Sequence, residues 1–197
     1  MKRTIHFLGL IIALLFITGC LVRSINPLYT EKNLIFDEKL LGEWKVKLDV
    51  WKFSKQGNGY LLTQIDNEGK KAEFEVHLLK LGKYRFLDFY LKEFDKDLGK
   101  KLNSFGLLHL IPAHSFMRVE SIEKDETKLR VFSLDWLKKT VEQNPNIIPH
   151  ILVHDKDYPD VILTAETSKL QDFVLNNVED AFDDLEITLE RQNDDKK

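Results

Sequence analysis

The sequence predicts a mainly β protein with a few helices: an antiparallel meander that closes into a barrel or half-barrel and carries a helix just before its last strand. Three observations lead there. Long stretches after residue 42 alternate apolar and polar residues with period two, the pattern of strands that bury one face. Short turns rich in Gly, Asn and Asp join these stretches, so sequence neighbours pair antiparallel. An open sheet of about nine such strands would leave hydrophobic edges, and closure removes them.

Each element has its own signal. Asp37 offers an N-cap for one helical turn through Leu41, and Gly42 is placed to end it. Trp44, Val46, Leu48 and Val50 then alternate with Glu43, Lys45, Lys47 and Asp49, after which Trp51 and Phe53 shift phase, predicting a bulge or sharp bend near Val50. Turns at 56–59, 67–70 and 81–83 separate strands over 60–66, 71–80 and 84–90, the last aromatic on both faces. Over 94–111, Leu98, Leu102 and Phe105 have helical spacing, but Gly99 and Gly106 weaken a helix and Pro112 ends it, which predicts a lid. Strands follow over 115–123 and 128–134, then a short helix from about Asp135 that Asn144-Pro145 stops. Residues 150–154 and 161–165 form a hairpin, Thr167 caps a helix with Leu170, Phe173, Val174 and Val178 as its stripe, 185–191 is the last strand, and 192–197 is a solvated tail.

The start of the chain has a different grammar. Lys2 and Arg3 precede an apolar run over 5–17, the order of a secretory signal peptide. A span needs about 20 apolar residues and this run has about 13, which excludes an uncleaved transmembrane anchor. Its ending, Ile17-Thr18-Gly19-Cys20, resembles a bacterial lipobox. That resemblance implies cleavage between Gly19 and Cys20, a diacylglycerol thioether on Cys20, and a fatty acyl chain such as palmitate on the new amine. Cys20 is the only cysteine of the chain, so acylation leaves no disulfide within a monomer. Leu21-Val22 contains no Asp, which by similarity to Gram-negative lipoproteins implies passage to the outer membrane, on its periplasmic face. The domain organisation expected is a cleaved signal over 1–19, a lipidated N-terminus and tether over 20–33, one β-rich domain over 34–191, and a disordered tail over 192–197.

Charge narrows the partners. Loss of the signal removes Lys2 and Arg3 but no acid, taking the formal charge from −3 to −5. An acidic surface argues against nucleic acid and gives no pull toward anionic lipid, so the lipid anchor does the tethering to the membrane.

Leu41-Gly42-Glu43-Trp44, a Gly-x-Trp at the start of the first strand after a helical turn, resembles the opening of lipocalins, and a helix before a final strand resembles their ending. The resemblance implies a lipocalin-like barrel in which Gly42 and Trp44 close one end and an arginine from a late strand, Arg191, packs across the tryptophan. The residues alone fit Trp44 equally as an ordinary core aromatic. The helix near Asp135 and the insertion over 94–111 depart from the family pattern. The segment over 27–32 and Ile111-Pro112-Ala113-His114 are similar to stretches of bacterial lipoproteins to which no activity is attached.

Chemistry-bearing constellations are absent from the sequence. His150 and His154 would meet over one ion on a helix, but on a strand their imidazoles stand about 13 Å apart. Asp155, Asp157 and Glu166 fit a calcium-loop spacing only until Pro159 and Asp160 fill the places of a ligand and a turn-forming glycine. No nucleophile elbow, phosphate loop or dinucleotide fingerprint occurs, so no catalytic residue, metal or cofactor is assigned. Thirteen Phe, five Tyr and three Trp build a core or an apolar pocket with equal ease. The expectation is a lipid-anchored protein binding an apolar or amphiphilic ligand, lined by Trp51, Phe53, Tyr84, Phe86, Leu87 and Phe89. The alternatives are a non-enzymatic envelope interaction protein with a filled barrel, its protein partners unspecified, and a hydrolase with an unrecognised site.

Overall fold

Two short strands, β1 (Arg23–Ser24) and β2 (Leu34–Ile35), open the fold. A meander follows: β3 (Gly42–Val46), β4 (Asp49–Gln56), β5 (Gly59–Ile65), β6 (Lys71–Leu81), β7 (Tyr84–Glu93), β8 (His114–Ile122) and β9 (Glu126–Val131). After it come α1 (Leu134–Gln143), β10 (His150–Val153), β11 (Asp160–Leu163), α2 (Thr167–Asn176), α3 (Val178–Ala181) and β12 (Glu186–Arg191). This computed structural model describes residues 21–93, 112–153, 160–182 and 185–192. Gly19, Cys20 and the expected signal, the expected lid over 94–111, His154 and the loop after it, and residues 193–197 lie outside the described residues.

Consecutive meander strands pair antiparallel, and β12, arriving after the helices, inserts between β9 and β3. Because β8 also pairs with β9, the ring is complete: a closed antiparallel barrel of eight strands with helices before the last one. Closure leaves those strands no free edge. The small sheet β10–β11–β1 continues from β8, where β9 has diverged, through the pair Ser24 and His114.

The strand pleat separates two cores. Inward residues, among them Trp44, Phe53, Tyr60, Leu62, Leu78 and Leu87, are at most 2% exposed and meet in the lumen. Outward residues of β6 to β8, namely Leu79, Leu81, Phe86 and Phe116, pack against Leu137, Leu170, Phe173 and Phe182 of the helical layer. The helical layer exists because the outer face of these three strands is as apolar as the inner one.

Three expectations are corrected by the structure. The phase shift near Val50 is a hairpin and not a bulge: Val46 pairs with Asp49 across a turn in which Lys47 takes φ 57. Apolar alternation ran straight through it, with no Gly or Asn to mark the reversal, and Leu48 is left 60% exposed on the turn. Thr167 does not cap its helix; its hydroxyl donates to the Pro27 carbonyl at 2.9 Å.

The largest correction concerns 21–33, which is a strap and not a tether. Val22, Ser24 and Leu28 are at most 1% exposed. β1 pairs with β11 and β8, Asn26 Nδ2 donates to the Ala165 carbonyl at 2.9 Å, and Gln171 Nε2 to the Leu28 carbonyl at 2.8 Å. Side chains of other elements satisfy this backbone, so it needs no period of its own. The strap then gives β2, which pairs with β6 beyond the reach of β5, and reaches the barrel end.

At that end Tyr60 accepts from the Asp37 amide at 2.8 Å and donates to the Asp37 carbonyl at 3.0 Å. Burial pushes the Tyr60 hydroxyl from 10.0 up to about 12. A phenol with a raised folded pKa contributes stability that is complete below pH 10 and lost as pH rises toward 12. Urea midpoints measured across that window are expected to fall, and Tyr60→Phe is expected to flatten the fall; an unchanged slope in the variant would refute the assignment.

Candidate functional site

One barrel end is sealed by a clasp built from both ends of the wall. Asp37 caps the single helical turn Glu38–Leu40, its carboxylate accepting from the Lys39 amide at 3.0 Å. The turn places the Leu40 carbonyl above β3, where Trp44 Nε1 donates to it at 2.8 Å. From β12 the Arg191 guanidinium lies over the Trp44 ring at 4.1 Å and donates to the carbonyls of Leu41 at 2.9 Å, Lys39 at 2.5 Å and Lys124. Gly42 has φ 114, and a Cβ there would stand 2.7 Å from Arg191 Nη1. The glycine of Gly-x-Trp thus supplies both a backbone geometry and the space for the arginine. This is a structural closure: the Trp44 and Arg191 donors are directed at main-chain carbonyls.

The six aromatic and aliphatic residues expected to line a ligand site do not share a surface. Phe53, Leu87 and Phe89 face the lumen, together with Trp51, whose ring lies 6.3 Å from Phe53 and 6.0 Å from Phe89. Phe86 points outward and packs against Phe182 in the helical layer, the rings tilted with centroids 5.6 Å apart. Tyr84 is outside as well, where its hydroxyl donates to Glu179 Oε1 at 2.6 Å and holds that carboxyl below its ordinary range. Odd and even positions of β7 fall on opposite sides of the wall, so a strand aromatic on both faces serves two cores. Trp51 Nε1 is buried and has no hydrogen-bond partner among the described residues.

Two clefts open on the surface, both outside the lumen. One, of about 300 Å³, is polar and bordered by Lys83, Tyr84, Arg85, Arg118 and Glu179. The other, of about 450 Å³, lies between the Ile147-Ile148-Pro149 segment and α2, bordered by Lys169 and Phe173.

A buried ion-pair geometry sits on the outer wall beneath the strap, and sequence reasoning missed it. Asp88 is fully buried; its Oδ1 meets His114 Nδ1 at 2.6 Å and its Oδ2 accepts from the Leu28 amide at 2.7 Å. Tyr29 packs at a tilt on His77, centroids 4.2 Å apart, beside this pair, and burial, then the Asp88 charge, raises the Tyr29 hydroxyl above its ordinary value. Tyr90 packs on the His114 ring at 4.6 Å. Ser24 stands opposite His114 in the strand register, so serine, histidine and aspartate occupy one neighbourhood. They do not form a nucleophilic relay: the Ser24 hydroxyl donates to the Asn26 carbonyl at 2.7 Å, Ser24 is fully buried, and His114 is 8% exposed. A nucleophile needs an open face and a base within reach. The arrangement instead fastens the strap to the wall. Its only trace in the sequence is one carboxylate inside Phe86-Leu87-Asp88-Phe89-Tyr90, an acid where a buried strand is otherwise apolar.

Among the described residues no three His, Cys, Asp or Glu side chains converge as metal ligands would. The fold therefore defines a closed antiparallel barrel of eight strands, consistent with a lipocalin-like barrel, whose inward side chains form one buried cluster. Against known proteins, no family model matches the chain, and neither curated proteins nor solved structures give a match.

Proposed function

We propose that this protein is a lipid-anchored bacterial envelope protein that works as a docking body on its outer surface and does not carry a ligand in its barrel. The observation that carries the reading is the lumen, where Trp44, Phe53, Tyr60, Leu62, Leu78 and Leu87 are at most 2% exposed and belong to one packed cluster. Eight-stranded barrels are just wide enough for their own side chains to fill them or to hold one small ligand, so the burial of these inward residues decides between the two. The lipobox-like Ile17-Thr18-Gly19-Cys20 supports anchoring through an acylated Cys20, at the outer membrane and facing the periplasm in a two-membrane cell. Two or more acyl chains hold a protein at a bilayer far more firmly than one. The Trp44 and Arg191 clasp supports a distant likeness to lipocalins in closure rather than in cargo.

Two measurements test this. Inhibiting lipoprotein signal peptidase with globomycin is expected to leave the precursor uncut, and Cys20→Ser to move the protein from the membrane pellet to the soluble fraction. A variant that still pellets with membranes refutes the anchor. Native mass spectrometry of the acyl-free domain purified from its own host is expected to give the bare polypeptide mass; a co-purifying amphiphile would refute the filled-barrel reading. One observation favours carriage as a second reading: the unpartnered Trp51 Nε1 in the lumen would welcome an acceptor.

A further inference from the structure

We infer that the β10–β11–β1 face is the side of the domain that lies on the bilayer, its exposed aliphatic side chains immersed at headgroup depth; this rests on the proposed acylation of Cys20. Five large hydrophobic side chains are the most exposed among the described residues, and four of them gather around this small sheet: Ile25 at 42%, Ile147 at 37%, Ile151 at 55% and Leu152 at 45%. The fifth, Leu48, is on the β3–β4 turn. Ile151 lies across from Ile162 and Ile162 across from Arg23, so one row of the sheet runs from the exposed edge to the strand that leads to the lipid. Arg23 is three residues from Cys20, about 10 Å of extended chain.

Where the chain leaves the described body decides the occupant. Val22 is buried and Leu21 bridges to Ser133, so no slack separates the anchor from the fold. An acylated Cys20 would hold the β1 end of the sheet at the membrane whatever the rest of the domain does. The mature charge is acidic and supplies no electrostatic orientation, which leaves apolar surface to set the angle. β10 is the end strand of the sheet, and among the described residues no strand pairs with the N–H and C=O groups of its outer edge. Hydrocarbon cannot satisfy those groups, so the immersion stops among headgroups and water, where Ile151 and Leu152, on opposite faces of one strand, are both covered. Arg23, half exposed and paired with Asp160, stands at the level where a lipid phosphate would lie.

The test uses the full acylated protein reconstituted into phosphatidylethanolamine and phosphatidylglycerol vesicles. With Cys20 blocked by its lipid, Ile151→Cys supplies a single thiol for an environment-sensitive fluorophore, and Asn58→Cys, on the β4–β5 turn across the barrel, supplies the reference. The expected result is a blue-shifted label at 151 that headgroup-proximal nitroxide lipids quench severalfold more than the label at 58. Equal, water-like emission at both positions on protein that floats with the vesicles would overturn the inference and leave the anchor standing. Protein that does not float overturns the anchor, and the inference with it. A label at 151 already blue-shifted in the acyl-free domain without lipid means that a second copy covers the edge, which also overturns it.

Discussion

Trp44→Ala is expected to lower the free energy of unfolding by about 4 kcal/mol, because it deletes a fully buried aromatic and leaves a cavity at a site that cannot collapse. The site is rigid since three carbonyls and the indole hold Arg191 and the Glu38–Leu40 turn in one position. Loss of the ring also leaves the guanidinium without the face it covers at 4.1 Å. Trp44→Phe keeps the face and most of the volume but not the Nε1 donor to Leu40, and should lose about half as much. Gly42→Ala probes the same clasp from the other side: its Cβ would meet Arg191 Nη1 and its backbone would be strained at φ 114. Urea denaturation of the acyl-free domain measures all three. A Trp44→Ala loss below about 1 kcal/mol would mean that the end is not sealed by this residue.

Asp88→Ala is expected to cost about 3 kcal/mol, because each buried polar group left without its partner costs about 1–3 kcal/mol. It leaves the Leu28 amide and His114 Nδ1 without their acceptor inside a wall that water does not reach. The carboxylate joins a β7 side chain to the strap and to β8 at once, so the strap should also loosen. Limited proteolysis within 21–36 should accelerate well beyond what global destabilisation explains. Asp88→Asn, which can still accept from the Leu28 amide, should recover part of the loss. Equal strap protection in Asp88→Ala and in a core variant of matched stability would show that the pair stabilises the barrel without fastening the strap.

Much of the wall was legible because alternation is local. β6 follows from a period-two run, β5, β7 and β9 were set off by the turn residues beside them, and the two-residue pleat fixes which side each residue faces. The clasp was partly legible: Gly42-x-Trp44 is a short motif, and Arg191 could be named as its partner only through likeness to lipocalins. The six residues grouped as a ligand lining were separated by the wall because composition does not carry side. Tyr84 and Phe86 belong with the helices, Leu87 and Phe89 with the lumen, and one position of parity makes the difference. Asp88 and His114 could not be paired, since they are 26 residues apart and meet only through the β7–β8 register.

By itself the sequence determined a mostly antiparallel β body, its turns, and a helix ahead of the strand that completes the ring, because those follow from neighbours a few residues apart. Only the tertiary structure decided that the inward side chains form one buried cluster, that 21–33 packs on the wall, and that the exposed aliphatic residues gather around the β10–β11–β1 sheet. Those depend on contacts between segments distant in the chain: Leu28 with Asp88, Thr167 with Pro27, Ile162 with Arg23. A backbone satisfied by remote side chains has no periodicity to read, which is why the strap looked like slack and proved to be packed against β8, β11 and α2.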